Sequence, residues 1–380
     1  MPDTILTNAR IVLAGEIVPG TLVMSEGVIR AVDAGATAVA AAEDLGGDFL
    51  IPGLVELHTD HLEGHVAPRP GVSWNPIAAV QAHDAQIAAS GITTVLDALR
   101  VGTDADTSRL GRHMRTLADA IVTAGANGRL RADHFLHLRC EIAAKDVVEE
   151  AEAFLGNPSL KLVSVMDHTP GQRQFVSLDK YREYYQGKVG MSDAEMEAFI
   201  AERHALHAAN AEPNRRALFE LCRRSGIVVA SHDDATEEHV AEAVAEGVVL
   251  SEFPTTIAAA KAAKDGGLAV LMGAPNVVRG GSHSGNVSAI ELAADGLLDV
   301  LSSDYVPFSL LHAAFVLPGH VGAIGLPDAI RLVTSNPARA VGLDDRGEIA
   351  EGLRADLVQV RFADDVPVVR AVWSNGRRVA

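Results

Sequence analysis

Eight short apolar runs alternate with helical patterns through the middle of this 380-residue chain, and no other feature restricts the fold as much. The runs are FLIPGLVELH, ITTVLDAL, HFLHLRCEI, LKLVSVMDH, GIVVASHDD, GVVLSEFP, LAVLMGAP and LDVLSSDY. Each reads as a strand that is apolar throughout, as expected when both faces of a parallel sheet are covered. Helical segments lie between most of them. In PIAAVQAHDAQIAAS the pattern makes Asn75 the N-cap and Pro76 the first helical residue, with Gly91 just past the end. Eight alternating β and α units predict an α/β fold, a (β/α)8 TIM barrel.

The two ends of the chain differ from the middle. TILTNARIVLAG and GTLVMSEGVIRAVD are short alternating runs punctuated by Gly, Asn and Asp. The last 35 or so residues, with ADLVQVRF and PVVRAVWSNGRRV, look the same. Both termini are therefore expected to build one small β domain, residues 1–50 plus 345–380, around a barrel at 51–344. Within the barrel the longest interruption, roughly 169–212, reads as an elaborated loop followed by a polar helix.

Composition removes several classes. The 48% of apolar residues is too many for a disordered chain. No run of about 18 apolar residues occurs, so no membrane span is expected. The opening MPDTILTNARIV lacks the layout of a signal peptide. Two cysteines, Cys140 and Cys222, make no disulfide framework and fit a reducing cytoplasm. A net charge of −18 argues against nucleic acid as partner but leaves a small anionic substrate open. The apolar content permits a homodimer without requiring one.

The strand runs share polar ends. The first ends in His58 and Asp60, the third in Glu141, the fourth in Asp167 and His168. The fifth ends in His232, Asp233 and Asp234, the sixth in Glu252 and the eighth in Asp304. In a closed barrel the carboxyl ends of the strands share one rim, so these residues converge. Carboxylates brought together repel one another, and divalent cations supply the opposing charge. Histidine with carboxylate suits Zn²⁺, Mn²⁺ or Fe²⁺ better than Ca²⁺ or Mg²⁺. Singly, each such residue is more often a solvated charge or a packed histidine; repetition at the same end of most of the strands favours a metal centre. His58 and Asp60, two apart, point the same way along a strand, and His61 then points elsewhere. His83, His113, His204, His207, His239 and His312 fall in helical patterns and read as solvated or packed helix residues.

At PGLVELHTD, and again at NPARAVGLDDRGEIAEGLRADLV, the sequence resembles the amidohydrolase superfamily. That resemblance implies a barrel with a β-sandwich domain made from both termini. It departs from the usual His-x-His, because Asp60 stands in the second histidine's place. Longer motifs narrow it: ELHTDHLEGHVAPRPGVSW, HLRCE, LVSVMDHTPGQRQF, KYREYYQGK, ASHDDAT, EFPTT, LMGAPNVVRGGSHSGNVSA and LSSDY. Together they closely resemble the α-D-ribose 1-methylphosphonate 5-triphosphate diphosphatase family of the carbon–phosphorus lyase pathway, in which HTD is the expected form. The activity implied is hydrolysis of a phosphorylated small molecule, releasing pyrophosphate and leaving the 5-phosphate.

The superfamily's chemistry implies two divalent ions, Zn²⁺ or Mn²⁺, that activate a water between them. His58 and Asp60 would hold one, His168 and His232 the other, with Glu141 between. Asp304 would touch a metal and take the water's proton. A triphosphate also asks for cations and donors: Arg69 in APRPG, Arg173 in the long loop, and Arg279, Ser282, His283 and Asn286 in VVRGGSHSGN. Lys180 and Arg182 are weaker candidates, since YREYYQGK also reads as a docking helix. Two other readings compete. One is a metal-dependent hydrolase of an amide or lactam, which the basic loops disfavour. The other is a silent assembly protein on the same scaffold, which should have lost ligands that this chain keeps.

Overall fold

Gly53 divides the first apolar run between two sheets. Phe49–Pro52 is strand β5 of one sheet and Leu54–Thr59 is strand β6 of another. The run was expected as a single strand; its Pro52-Gly53 pair, a turn dipeptide, sits at the break. The structure, a computed structural model, describes residues 3–69, 71–102, 114–173, 182, 191–282 and 285–380.

The second sheet holds eight strands: β6, then β7 (Ile92–Val101), β8 (Asp133–Glu141), β9 (Leu160–Met166), β10 (Val228–His232), β11 (Leu250–Glu252), β12 (Ala269–Gly273) and β13 (Val300–Ser302). They neighbour one another in chain order, and a parallel bridge from Thr59 to Asp304 links the first strand's end to the residues after the last. With helices between the strands, this is the (β/α)8 barrel expected from the eight runs. Helix Pro76–Ala89 starts as predicted, the Asn75 side chain accepting from the N–H of Ala78 at 3.1 Å.

By packing, the chain divides into two compact units: Met1–Asp97 with Asp119–Phe135 and Met272–Ala380, and Ala98–Ala118 with Leu136–Leu271. The first contains a sheet built from both termini. Its path runs β16 (Arg377–Arg378), β15 (Val366–Ser374), β14 (Leu357–Ala363), β5, β1 (Thr4–Val12), β2 (Ile17–Ser25) and β3 (Val28–Ala34), with β4 (Glu43–Asp44) beside β1. Leu6, Ile11, Leu22, Met24, Ile29, Leu50, Leu357 and Trp373 form its core, and burying such side chains contributes about 1.5–3 kcal/mol each. The C-terminal segment is pinned by charge: Asp133 Oδ2 lies 2.8 Å from Arg346 Nη1 and 2.5 Å from Arg354 Nη1.

In the second unit, β9 pairs in parallel with β8 and β10, and β10 with β11. The polar helix after the long loop is Asp193–Ser225, opened by a capping box at Ser192 and closed by Gly226 in the left-handed region. Its Asn210 and Asn214 amides donate to the carbonyls of Ala143, Ile142 and Ala144 at 2.8–3.1 Å. These bonds fix the chain just beyond Glu141.

Candidate metal centre

Three strand ends turn in the same way. Asp233, Phe253 and Asp304 follow β10, β11 and β13, with φ of 55°, 55° and 54°. Each backbone N–H still reaches a neighbouring strand: Asp233 to Glu252 O at 2.9 Å, Phe253 to Leu271 O at 2.8 Å, Asp304 to His58 O at 3.1 Å. Left-handed non-glycine residues carry strain that only the surrounding structure can hold, and such strain gathers at functional sites.

In the first unit, Glu56 organises the ends of β6 and β13. Its two oxygens accept from the N–H of His58 at 2.6 Å and of Ser303 at 2.5 Å. Burial pushes its carboxyl up to about 7, against the pull of those bonds. Ser302 Oγ donates to the His58 carbonyl at 2.8 Å, and Thr59 Oγ1 to the Asp304 carbonyl at 2.9 Å. His58 and Asp304, 246 residues apart in sequence, are thus knitted backbone to backbone. Asp60, partly buried, follows directly.

In the second unit, Glu141 ends β8 and is 1% exposed. One oxygen lies 2.7 Å from His168 Nδ1, the other accepts from the His168 N–H at 3.2 Å, and Arg100 Nη2 stands 3.5 Å away. His168 and His232 face each other, ring centroids 5.7 Å apart. Between them is Asp233, whose Oδ2 lies 3.9 Å from His168 Nε2 and 3.4 Å from His232 Nε2. That oxygen is buried and has no hydrogen-bond partner. Donor atoms of His168, His232 and Asp233 all fall within 4.8 Å of one another. Two imidazoles and an orphaned carboxylate oxygen fit a borderline divalent ion.

Sequence reasoning named Asp233 and Glu252 as strand-end acids but gave them no task. Asp233 sits among the donors, and Glu252, fully buried, lies against the far side of His232. The HDD triplet after a strand was the available signal for the first. His207 pairs with Asp167 at 3.0 Å, which removes Asp167 from the donor set. His83, read as a solvated or packed helix residue, is fully buried, 2.8 Å from Asp97. The signal for that pair was an acid inside the apolar run ITTVLDAL.

The residues expected to meet phosphate are less gathered. Arg69 is exposed, and Arg279 ends helix Ala274–Arg279, whose cap Gly280 is left-handed. Ser282 Oγ accepts from the Asn286 N–H at 3.2 Å. Arg173 is mostly buried and pairs with Asp234, and with Glu242 at 3.6 Å. His283 and Lys180 lie outside the described residues; Arg182 pairs with Glu197 at 2.5 Å.

The barrel, its strand-end donors and the two-terminus sheet define a hydrolase of the amidohydrolase class, and a model described as the amidohydrolase family matches residues 191–380. Solved structures share the fold. N-acetylglucosamine-6-phosphate deacetylase from Pasteurella multocida matches with a TM-score of 0.67 at 14% identity, covering 100% of both chains. Dihydropyrimidinase from Brevibacillus agri matches with 0.64 at 14% identity, covering 100% of this chain and 95% of that one. Alpha-D-ribose 1-methylphosphonate 5-triphosphate diphosphatase of Escherichia coli (strain K12) is 48% identical over 376 residues, 99% of this chain and 100% of that protein, and the chain belongs to its family. No helix among the described residues is long and apolar enough to cross a membrane.

Proposed function

We propose that this chain hydrolyses α-D-ribose 1-methylphosphonate 5-triphosphate to the 5-phosphate and pyrophosphate. The single observation that carries this reading is the 48% identity, along the full length of both chains, to a protein of that activity. It also makes the amide or lactam reading the weaker one. In the same reading the enzyme works in the cytoplasm on a small molecule, without nucleic acid, and residues 1–50 plus 345–380 form a domain apart from 51–344.

The residues proposed to hold two ions, Zn²⁺ or Mn²⁺, are His58, Asp60, Glu141, His168, His232 and Asp304, joined by Asp233. Supporting this are the orphaned oxygen of Asp233 and the histidines beside it. When bound, such ions act as Lewis acids and render water nucleophilic near neutral pH. Asp304 takes the attacking water's proton and returns one to the departing pyrophosphate. Glu56 holds Asp304 and His58 in place through their strand ends. Arg69, Arg279, Ser282, His283 and Asn286 donate to phosphate oxygens. Arg173 reaches a phosphate only by leaving Asp234 and Glu242.

Phosphorus NMR of the enzyme incubated with the triphosphate, beside a panel of amides and lactams, tests the proposal. Pyrophosphate and the 5-phosphate are expected in equal amounts. Stepwise release of orthophosphate, or turnover of an amide alone, would count against it.

A further inference from the structure

The chain just after His168 is pinned at several points. In Thr169–Gln172 the Gln172 N–H donates to the Thr169 carbonyl at 3.0 Å, with Pro170 second and Gly171 third at φ 80°, the residues that suit a type II turn. His204, on helix Asp193–Ser225, donates from Nε2 to the Pro170 carbonyl at 2.9 Å. Arg173 follows at φ 29°, a conformation strained in any residue with a side chain.

The Arg173 side chain turns inward. Its guanidinium is mostly buried; Nη1 pairs with Asp234 Oδ1, and Nη2 stands 3.6 Å from Glu242 Oε2. Glu242 is held in turn by Arg215 Nη2 at 2.9 Å. Asp234 is fully buried. Its second oxygen accepts from Ser231 Oγ on β10 at 2.5 Å and from Ser251 Oγ on β11 at 3.2 Å. Its carbonyl accepts from the Thr255 N–H at 2.8 Å. A carboxylate at such depth needs an opposite charge, and Arg173 supplies it. Drawing the guanidinium away to a phosphate would strand that charge in the interior, which is strongly unfavourable.

The pair joins two stretches of chain that matter to the donors. Arg173 lies at the end of the turn that follows His168, and Asp234 comes directly after His232 and Asp233. We propose that Arg173 is a positioning residue and not a phosphate ligand: through Asp234 it clasps the turn after His168 to the turn carrying His232 and Asp233, and so sets the separation of the three donors. A turn hinged freely at His168 would let that imidazole drift from the other two; one ion pair fastening both turns prevents it. The proposal rests on the metal centre of the reading above, not on the identity of the substrate.

The test measures Zn²⁺ affinity of the full chain by chelator competition in Arg173→Gln, Asp234→Asn and the double variant, with Tm recorded beside it. Each single change should weaken zinc binding about tenfold. The double variant should bind no more weakly than the worse single one, because both changes cut the same link. Arg173→Lys keeps the charge but not the fork, so its affinity should fall between that of Arg173→Gln and wild type. It serves in place of Asp234→Asn should that variant not fold. Unchanged zinc affinity in Arg173→Gln, with KM for the triphosphate raised and kcat kept, would make Arg173 a phosphate ligand and overturn the clasp. A lowered Tm with wild-type zinc affinity would overturn the positioning role as well. A wild-type chain that takes up no zinc would remove the metal centre and the clasp together.

Discussion

His232 Nδ1 lies 3.2 Å from Glu252 Oε2, and that same oxygen accepts from Ser164 Oγ at 2.5 Å. Ser164 in turn is 2.5 Å from His137 Nε2, and all of these side chains are buried. The chain of bonds leaves His232 one tautomer, with Nε2 turned toward Asp233. Glu252→Gln keeps the shape but withdraws the charge that makes His232 a better donor. It should weaken binding of the strand-end ion about 10–100-fold, read by chelator competition. Wild-type affinity in the variant would mean that His232 is not oriented through Glu252.

Asp304 is held by its neighbours independently of any ion, its N–H on the His58 carbonyl and its carbonyl on Thr59 Oγ1. Asp304→Asn should therefore keep its position. It lacks the base, and turnover should fall about 10²–10⁴-fold while bound metal stays at the wild-type level. A rate within a few-fold of wild type would refute its role in proton transfer.

How far these residues could be read from sequence depended on what their neighbours are. The barrel was legible because a parallel strand covered on both faces is predominantly apolar, and all eight runs are. The polar strand ends were legible as acids and histidines closing apolar runs, and of these the structure gathers His168, His232 and Asp233. The break at Gly53 was carried only by the Pro52-Gly53 pair, a turn signal that the apolar residues on either side of it outweighed. The task of Glu252 was hidden because it depends on strand β10 lying beside β11, which no local pattern records. His83 was hidden because PIAAVQAHDAQIAAS, rich in alanine, has no sharply apolar face to tell its buried side from its exposed one.

The buried network behind His83 should make stability depend on pH. His134 Nδ1 lies 2.7 Å from Asp97 Oδ2, and Asp84 Oδ1 stands 3.4 Å from its Nε2. Burial opposes the charge on His134, but Asp97 and Asp84 outweigh it and raise the imidazole to about 9. Burial likewise opposes the charges of Asp97 and Asp84, yet His134 and other donors hold both below the usual carboxylate range. A raised histidine stabilises fully below its unfolded value of about 6.5 and loses that contribution as pH climbs through 9. A depressed aspartate stabilises above about 3.9 and loses it as pH falls. The network is thus strongest between roughly pH 4 and 6.5. His134→Gln should lower Tm most in that window, and the gap from wild type should narrow toward pH 9. A gap constant from pH 5 to 9.5 would show that His134 is not charged in the fold.

Removing one partner exposes the cost of the others. Asp97 bonds both His83 and His134, with no solvent to replace it. Asp97→Ala should destabilise by about 3–5 kcal/mol, the usual penalty for removing one partner of a buried ion pair. Chemical denaturation at pH 6 measures it, and a loss below 1 kcal/mol would place the charge elsewhere.

Gly53 is where the chain passes from one sheet to the other, and the passage leaves no room for a side chain. A Cβ there would stand 2.2 Å from Thr93 Oγ1, 2.6 Å from its Cγ2 and 2.9 Å from its Cβ. The Gly53 N–H donates to Asp356 O at 2.8 Å, tying it to the C-terminal segment, so the backbone cannot simply back away. Thr93 is 1% exposed and cannot rotate into solvent. Gly53→Ala should therefore cost about 1–3 kcal/mol through overpacking. Thr93→Ala removes the two closest atoms and leaves the third, so adding it should recover part of the loss and make the two changes non-additive. Strictly additive denaturation free energies would mean that the strain at the junction comes from somewhere other than this contact.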